Sequence, residues 1–66
     1  MGAWFLAKLV VRNGIAVQPP KPGYLSLESI IWMVRRDDAS TFVTMRDGSD
    51  FVIEQSLDIV RRMVEQ

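Results

Sequence analysis

Three groups of side chains in this sequence have chemistry to offer: the arginine pairs Arg35-Arg36 and Arg61-Arg62, the aspartate pair Asp37-Asp38, and the rings of Trp4, Tyr24 and Trp32. Adjacent carboxylates could act together as acid and base. Paired arginines, joined by Arg46, could neutralise phosphates while the aromatic rings stack on bases. A plainer reading competes with each. Asp37-Asp38 precedes Ala39-Ser40, and aspartates in such a stretch usually bond to nearby backbone amides in a turn. The same two acids directly follow Arg35-Arg36, and Asp58 and Glu65 flank Arg61-Arg62, so both basic pairs can be neutralised locally.

The rest of the catalytic repertoire is missing. The chain contains neither histidine nor cysteine, and its serines and threonines have no evident general base. The four glycines, Gly2, Gly14, Gly23 and Gly48, are scattered and build no phosphate-binding loop. Carboxylates alone make a poor zinc site. The expectation is a protein that is not an enzyme, with no catalytic residue, no cofactor and no metal.

Charge and length narrow the partners. Eight basic and eight acidic residues cancel, so no global field steers the chain to nucleic acid or to an anionic membrane. Sixty-six residues make a single domain, 1–66, with a small core and no disulfide to support it, which turns attention to self-association. The segment Met1-Gly2-Ala3-Trp4-Phe5-Leu6-Ala7 lacks a leading basic residue, is soon interrupted by Lys8, and carries Leu6 where a myristoylation signal wants Ser or Thr. No stretch is long enough to span a bilayer. These features predict a soluble, cytoplasmic protein with no membrane partner.

The elements that must position these side chains can be read from periodicity and turn chemistry. Residues 4–12 alternate as a strand that is apolar on both faces, with Trp4, Leu6, Lys8 and Val10 on one side and Phe5, Ala7, Leu9 and Val11 on the other. Asn13-Gly14 suits a tight hairpin turn, and residues 15–17 make a short return strand. All three prolines fall in Gln18–Gly23, where strand pairing is expected to stop. Leu27, Ile30, Ile31 and Val34 match helical spacing, but the compact run Ile30-Ile31-Trp32-Met33-Val34 favours a single turn near 27–29 and a strand over 30–36. A turn at 37–40 leads into strand 41–46. Asp47-Gly48 then reads as a two-residue hairpin turn, followed by strand 49–54. Ser56 is a natural N-cap for a helix over 57–65, whose stripe of Leu57, Val60, Met63 and Val64 faces the sheet, with Asp58 and Arg62 placed to pair.

The predicted fold is therefore α+β: a small antiparallel β-meander of four to five strands with one C-terminal α-helix. The two-residue turn sets a register in which Thr44 faces Phe51, Val43 faces Val52 and Phe42 faces Ile53. One face then carries Phe42, Thr44, Phe51 and Ile53, and the other carries Val43, Met45 and Val52. One short helix covers one face. The candidate interface is accordingly Trp4, Trp32, Val43, Met45 and Val52, buried either against a second copy in a homodimer or inside a sheet curved into a barrel. The candidate basic patch is Arg35, Arg36, Arg61 and Arg62.

Two families share stretches with this chain. Leu27-Glu28-Ser29-Ile30-Ile31-Trp32, Thr41 to Gly48 and Gln55-Ser56-Leu57 resemble part of a LytTR DNA-binding domain. That family reads DNA from loops of an all-β core, and this chain has no counterpart of the segment after the helix, so no DNA-reading residue carries over. Leu9-Val10-Val11-Arg12-Asn13-Gly14, Leu27-Glu28-Ser29-Ile30, Asp47-Gly48 and Glu54-Gln55-Ser56-Leu57-Asp58-Ile59-Val60 resemble the FlbD-like family of small flagellar proteins, from which the chain departs by an insertion around Pro19–Pro22 and by Gln55 in place of Glu. This resemblance implies a regulatory or assembly protein without enzymatic activity. The functional expectation is a non-catalytic protein–protein interaction or regulatory module that associates with itself and with an unidentified protein. The alternatives are a small nucleic-acid-binding regulator and an inhibitor or accessory protein of a mobile element.

Overall fold

The structure, a computed structural model, describes residues 4–65, with the side chain of Val64 left aside. Five strands, β1 (Trp4–Arg12), β2 (Ile15–Ser26), β3 (Ile30–Asp37), β4 (Ser40–Met45) and β5 (Asp50–Ile53), form one antiparallel sheet in the order β2-β1-β5-β4-β3. One helix, α1 (Leu57–Val64), follows. The predicted α+β architecture is the observed one. The β1–β2 hairpin turns at Asn13 (φ 50°) and Gly14 (φ 82°), both in the left-handed region that an Asn-Gly turn supplies. A single turn of 3-10 helix at Leu27–Ser29 leads into β3, as the apolar run predicted.

The core lies on the inner face of this sheet. Phe5 and Ala7 of β1, Leu25 of β2, Val43 and Met45 of β4, Ile53 of β5 and Val60 of α1 form one buried cluster. Ile30 and Met33 of β3 pack against it. Leu25 and Met33 sit on the two opposite edge strands, so the sheet must curl around the cluster for both to reach it. The helix plugs the curl from its inner side. Ser56 caps it by accepting the Ile59 amide at 3.3 Å, which satisfies one of the free donors of the first turn. Thr41, fully buried, donates its hydroxyl to the Gln55 carbonyl at 2.7 Å and fixes the approach to the helix.

Three sequence expectations are corrected. The first concerns the prolines. β2 does not end at Val17 but continues to Ser26 as an edge strand. Leu9 pairs with Lys21 and Val11 with Ala16, so residues 17–20 bulge out opposite Val10 alone. Prolines lack the amide that a central strand must donate, but an edge strand with a bulge has no such demand there.

The second correction is the register of the β4–β5 hairpin. Thr41 pairs with Ile53, Phe42 with Val52, Val43 with Phe51 and Thr44 with Asp50. The Met45 amide donates to the Ser49 carbonyl at 2.9 Å, so the loop is Arg46-Asp47-Gly48, three residues rather than two. The Gly48 amide returns to the Met45 carbonyl at 3.0 Å, and Gly48 adopts φ 90°, the left-handed residue that such a loop requires. Asp47 closes the turn by accepting the Ser49 amide at 2.9 Å. One residue of slip on one strand moves its side chains to the opposite face. Phe51 and Ile53 therefore join Val43 and Met45 inside, and Val52 joins Phe42 and Thr44 outside.

The third correction is the partner of Asp58. Its carboxylate lies 3.6 Å from the guanidinium of Arg35 in β3, and the pair within the helix is Arg61–Glu65 at 3.9 Å. The expected packing of Val64 falls outside the described side chains.

Candidate interaction surface

Asp37 of the carboxylate pair is engaged in its turn. Asp37 accepts the Ala39 amide at 2.8 Å, which holds its pKa below the usual carboxylate value and leaves it a poor base. Among the described residues, no group of three or more His, Cys, Asp or Glu could hold a metal ion. No helix among them is long and apolar enough to cross a membrane.

The five residues of the expected interface do not form one surface. Val43 and Met45 belong to the core, at 0 % and 8 % exposure, and are withdrawn as contact residues on the free monomer surface. Val52 is also buried, yet it is absent from the core cluster because it faces outward. Phe42 lies directly across from it on β4 and Val11 across from it on β1. Val34 of β3 pairs with Phe42, and the Trp32 ring sits 6.2 Å from that of Phe42 at a tilt of 51°. A row of apolar side chains, Val34, Phe42, Val52 and Val11, thus crosses four strands on the outer face, with Trp32 flanking it at the β3 edge. Trp32 remains 51 % exposed and Val34 43 %. Ile31, placed at a register shift between Ile30 and Trp32, is exposed beside them.

Trp4 lies elsewhere. It is at the start of β1, exposed, on the outer side with Leu6 and Tyr24, the last two being direct cross-strand partners. A shallow groove of about 370 Å³ runs beside it, lined among others by Tyr24, Ser29, Arg46 and Phe51. Arg46 is held in place there: its amide donates to the Ser29 carbonyl at 2.8 Å and its Nε to the Glu28 carbonyl at 3.0 Å.

Of the first basic pair, Arg35 of β3 reaches α1. The Arg35–Asp58 contact joins the two elements, and Arg61 and Arg62 lie one helical turn beyond Asp58. Arg36 pairs with Asp37 at 4.0 Å and Arg61 with Glu65. Among the described residues, Arg62 takes part in no ion pair. Arg35 thus reaches α1 through Asp58, while Arg36 follows it on the opposite face of β3, and acids are interleaved among the four arginines. These are solvent-exposed pairs, worth little energetically, yet they remove the uniform positive field that a phosphate backbone needs.

Sequence reasoning missed Leu6, Ile31, Val34 and Phe42 as surface residues, and named Tyr24 only as a ring that could stack on bases. Tyr24 becomes visible once Gln18–Gly23 is read as an edge strand, since it then falls opposite Leu6. Phe42 and Val34 required the three-residue loop. No family model matches the chain, and no curated protein or solved structure shows a significant match to it.

Proposed function

We propose that this protein is a non-catalytic interaction module that associates with itself and uses its outer sheet face for contact. One observation carries the reading: the apolar row Val34, Phe42, Val52 and Val11, ending in a half-exposed Trp32, lies on the face of the sheet away from the helix. Together with Ile31 it concentrates large apolar side chains at one strand edge. Ile31, Trp32 and Val34 are the members in water, while Val52 is covered by its neighbours. Clustered exposed apolar side chains mark contact surfaces, and aromatic residues are enriched where protein partners meet. The absence of histidine and cysteine, and the use of Asp37 as a turn acceptor, agree with a binding role rather than a chemical one.

Light scattering coupled to size exclusion tests it. The wild-type chain should show a mass of about twice 7.5 kDa at micromolar concentration. Trp32→Arg, which leaves the inner core untouched, should shift the mass to that of one chain. A wild-type mass of one chain over the whole micromolar range overturns the reading.

A further inference from the structure

The sheet has two edges, β2 and β3, and they are not alike. β2 carries Pro19, Pro20 and Pro22 and a four-residue bulge, which together block an incoming strand. β3 has no proline, and its first five residues, Ile30-Ile31-Trp32-Met33-Val34, include no charge. An open strand of this kind presents unpaired amides and carbonyls and is a template for another strand.

We infer that two copies of this chain pair antiparallel through their β3 edges, about a twofold axis at Val34. The inference rests on the self-association reading above and specifies its geometry. The register follows from hydrogen-bond alternation. The Met45 amide points to β5, since it donates to Ser49, and the Arg46 amide points to β3, since it donates to Ser29. Amides alternate along a strand, so Thr44 and Phe42 also point to β3. Their partners Trp32 and Val34 therefore spend their backbone groups on β4, and Met33 and Arg35 present theirs to the open edge. Only a register that opposes Met33 to Arg35 of the second copy uses all of these groups, with both residues exchanging bonds on each side of the axis.

That register places Val34 against its own copy and Trp32 against Arg36 of the second copy. Both contacts lie on the outer face, where the exposed Val34 and Trp32 side chains each gain cover from the side chain opposite. The guanidinium of Arg36, exposed and only loosely paired with Asp37, meets an indole face rather than another arginine. The prolines of β2 explain why assembly stops at two. A β3 edge cannot add to a β2 edge, so the contact is isologous and closes.

The absence of cysteine makes the test direct. Residues facing each other across a non-hydrogen-bonded antiparallel pair have Cα atoms about 4.5 Å apart, within disulfide reach. Val34→Cys should oxidise to a covalent dimer, whereas Tyr24→Cys, on the blocked side, should stay monomeric under denaturing electrophoresis. Arg35→Pro removes an edge amide and should convert the dimer to monomer in light scattering. Arg35→Ala, which removes the same side chain and its Asp58 contact, should stay dimeric. A wild-type dimer that yields no Val34→Cys cross-link and survives Arg35→Pro overturns the edge pairing while leaving self-association intact. A wild-type monomer overturns both.

Discussion

Truncation of Val43 tests the central structural claim, the three-residue loop and the register it sets. Val43 is fully buried, opposite Phe51 on one side and Met33 on the other, in a cluster with Ile53 and Val60. Val43→Ala removes two methyl groups from that site. At about 0.8 kcal/mol for each group of this size, transfer alone costs roughly 1.6 kcal/mol. Curled strands on one side and a helix on the other restrict collapse, so a cavity term brings the total to about 2–3 kcal/mol. A domain of this length holds a total stability on the order of 3–10 kcal/mol, so the variant should fold but melt early. For small domains each kcal/mol corresponds to roughly 4–8 °C, which predicts a drop of about 10–20 °C. Urea denaturation followed by circular dichroism measures the free energy, with Ile59→Ala as the reference for an exposed apolar site on α1. That reference should change by about 0.5 kcal/mol or less. With the two-residue turn, Val43 would face outward and its truncation would resemble the reference. Equal, small effects for the two variants would refute the register and the assignment of the inner face.

Gly48→Val places a β-branched residue at φ 90° and should cost about 1 kcal/mol or more by the same urea assay, although a side chain there meets only open space. Ser56→Ala removes the hydroxyl that accepts the Ile59 amide and should cost about 1 kcal/mol. Backbone amides of Ala39 and Ser49 hold the pKa of Asp37 and Asp47 below the ordinary 3.8. Each carboxylate therefore contributes stability that is present above 3.8 and is lost as pH falls through its lower folded value, so melting temperature should decline below about pH 4. Replacing both with Asn should flatten that decline in a pH series of thermal melts. Acids interleaved among the arginines predict weak or absent binding to duplex DNA or RNA at physiological salt. A micromolar complex by fluorescence anisotropy under those conditions would instead favour a nucleic-acid-binding regulator.

Local chemistry was sufficient for the placement of most elements. Asn13-Gly14 demanded positive φ at consecutive positions, and the β1–β2 turn has it. Ser56 stood before an apolar stripe, and it caps α1. The run Ile30–Val34 was too rich in strand formers to be a helix, and it is β3. These features depend on neighbours in sequence, where propensity and turn geometry act directly.

Tertiary packing decided what lay beyond that range. Asp47-Gly48 is compatible with a loop of two residues or of three, and nothing local selects between them. The core selects: only the longer loop puts Val43, Met45, Phe51 and Ile53 on one side, where Val60 and the curled sheet can bury them together. The same choice turned Val52 outward to Phe42 and left Trp32 at the end of an outer apolar row. Whether Gln18–Gly23 could be a strand depended on its being at an edge, a fact about its neighbours across the sheet. Asp58 had Arg62 within reach along the helix, but the packing of α1 beside β3 gave it Arg35. In each case local sequence allowed more than one arrangement, and contacts between elements distant in sequence, above all burial of the shared core, settled which one was taken.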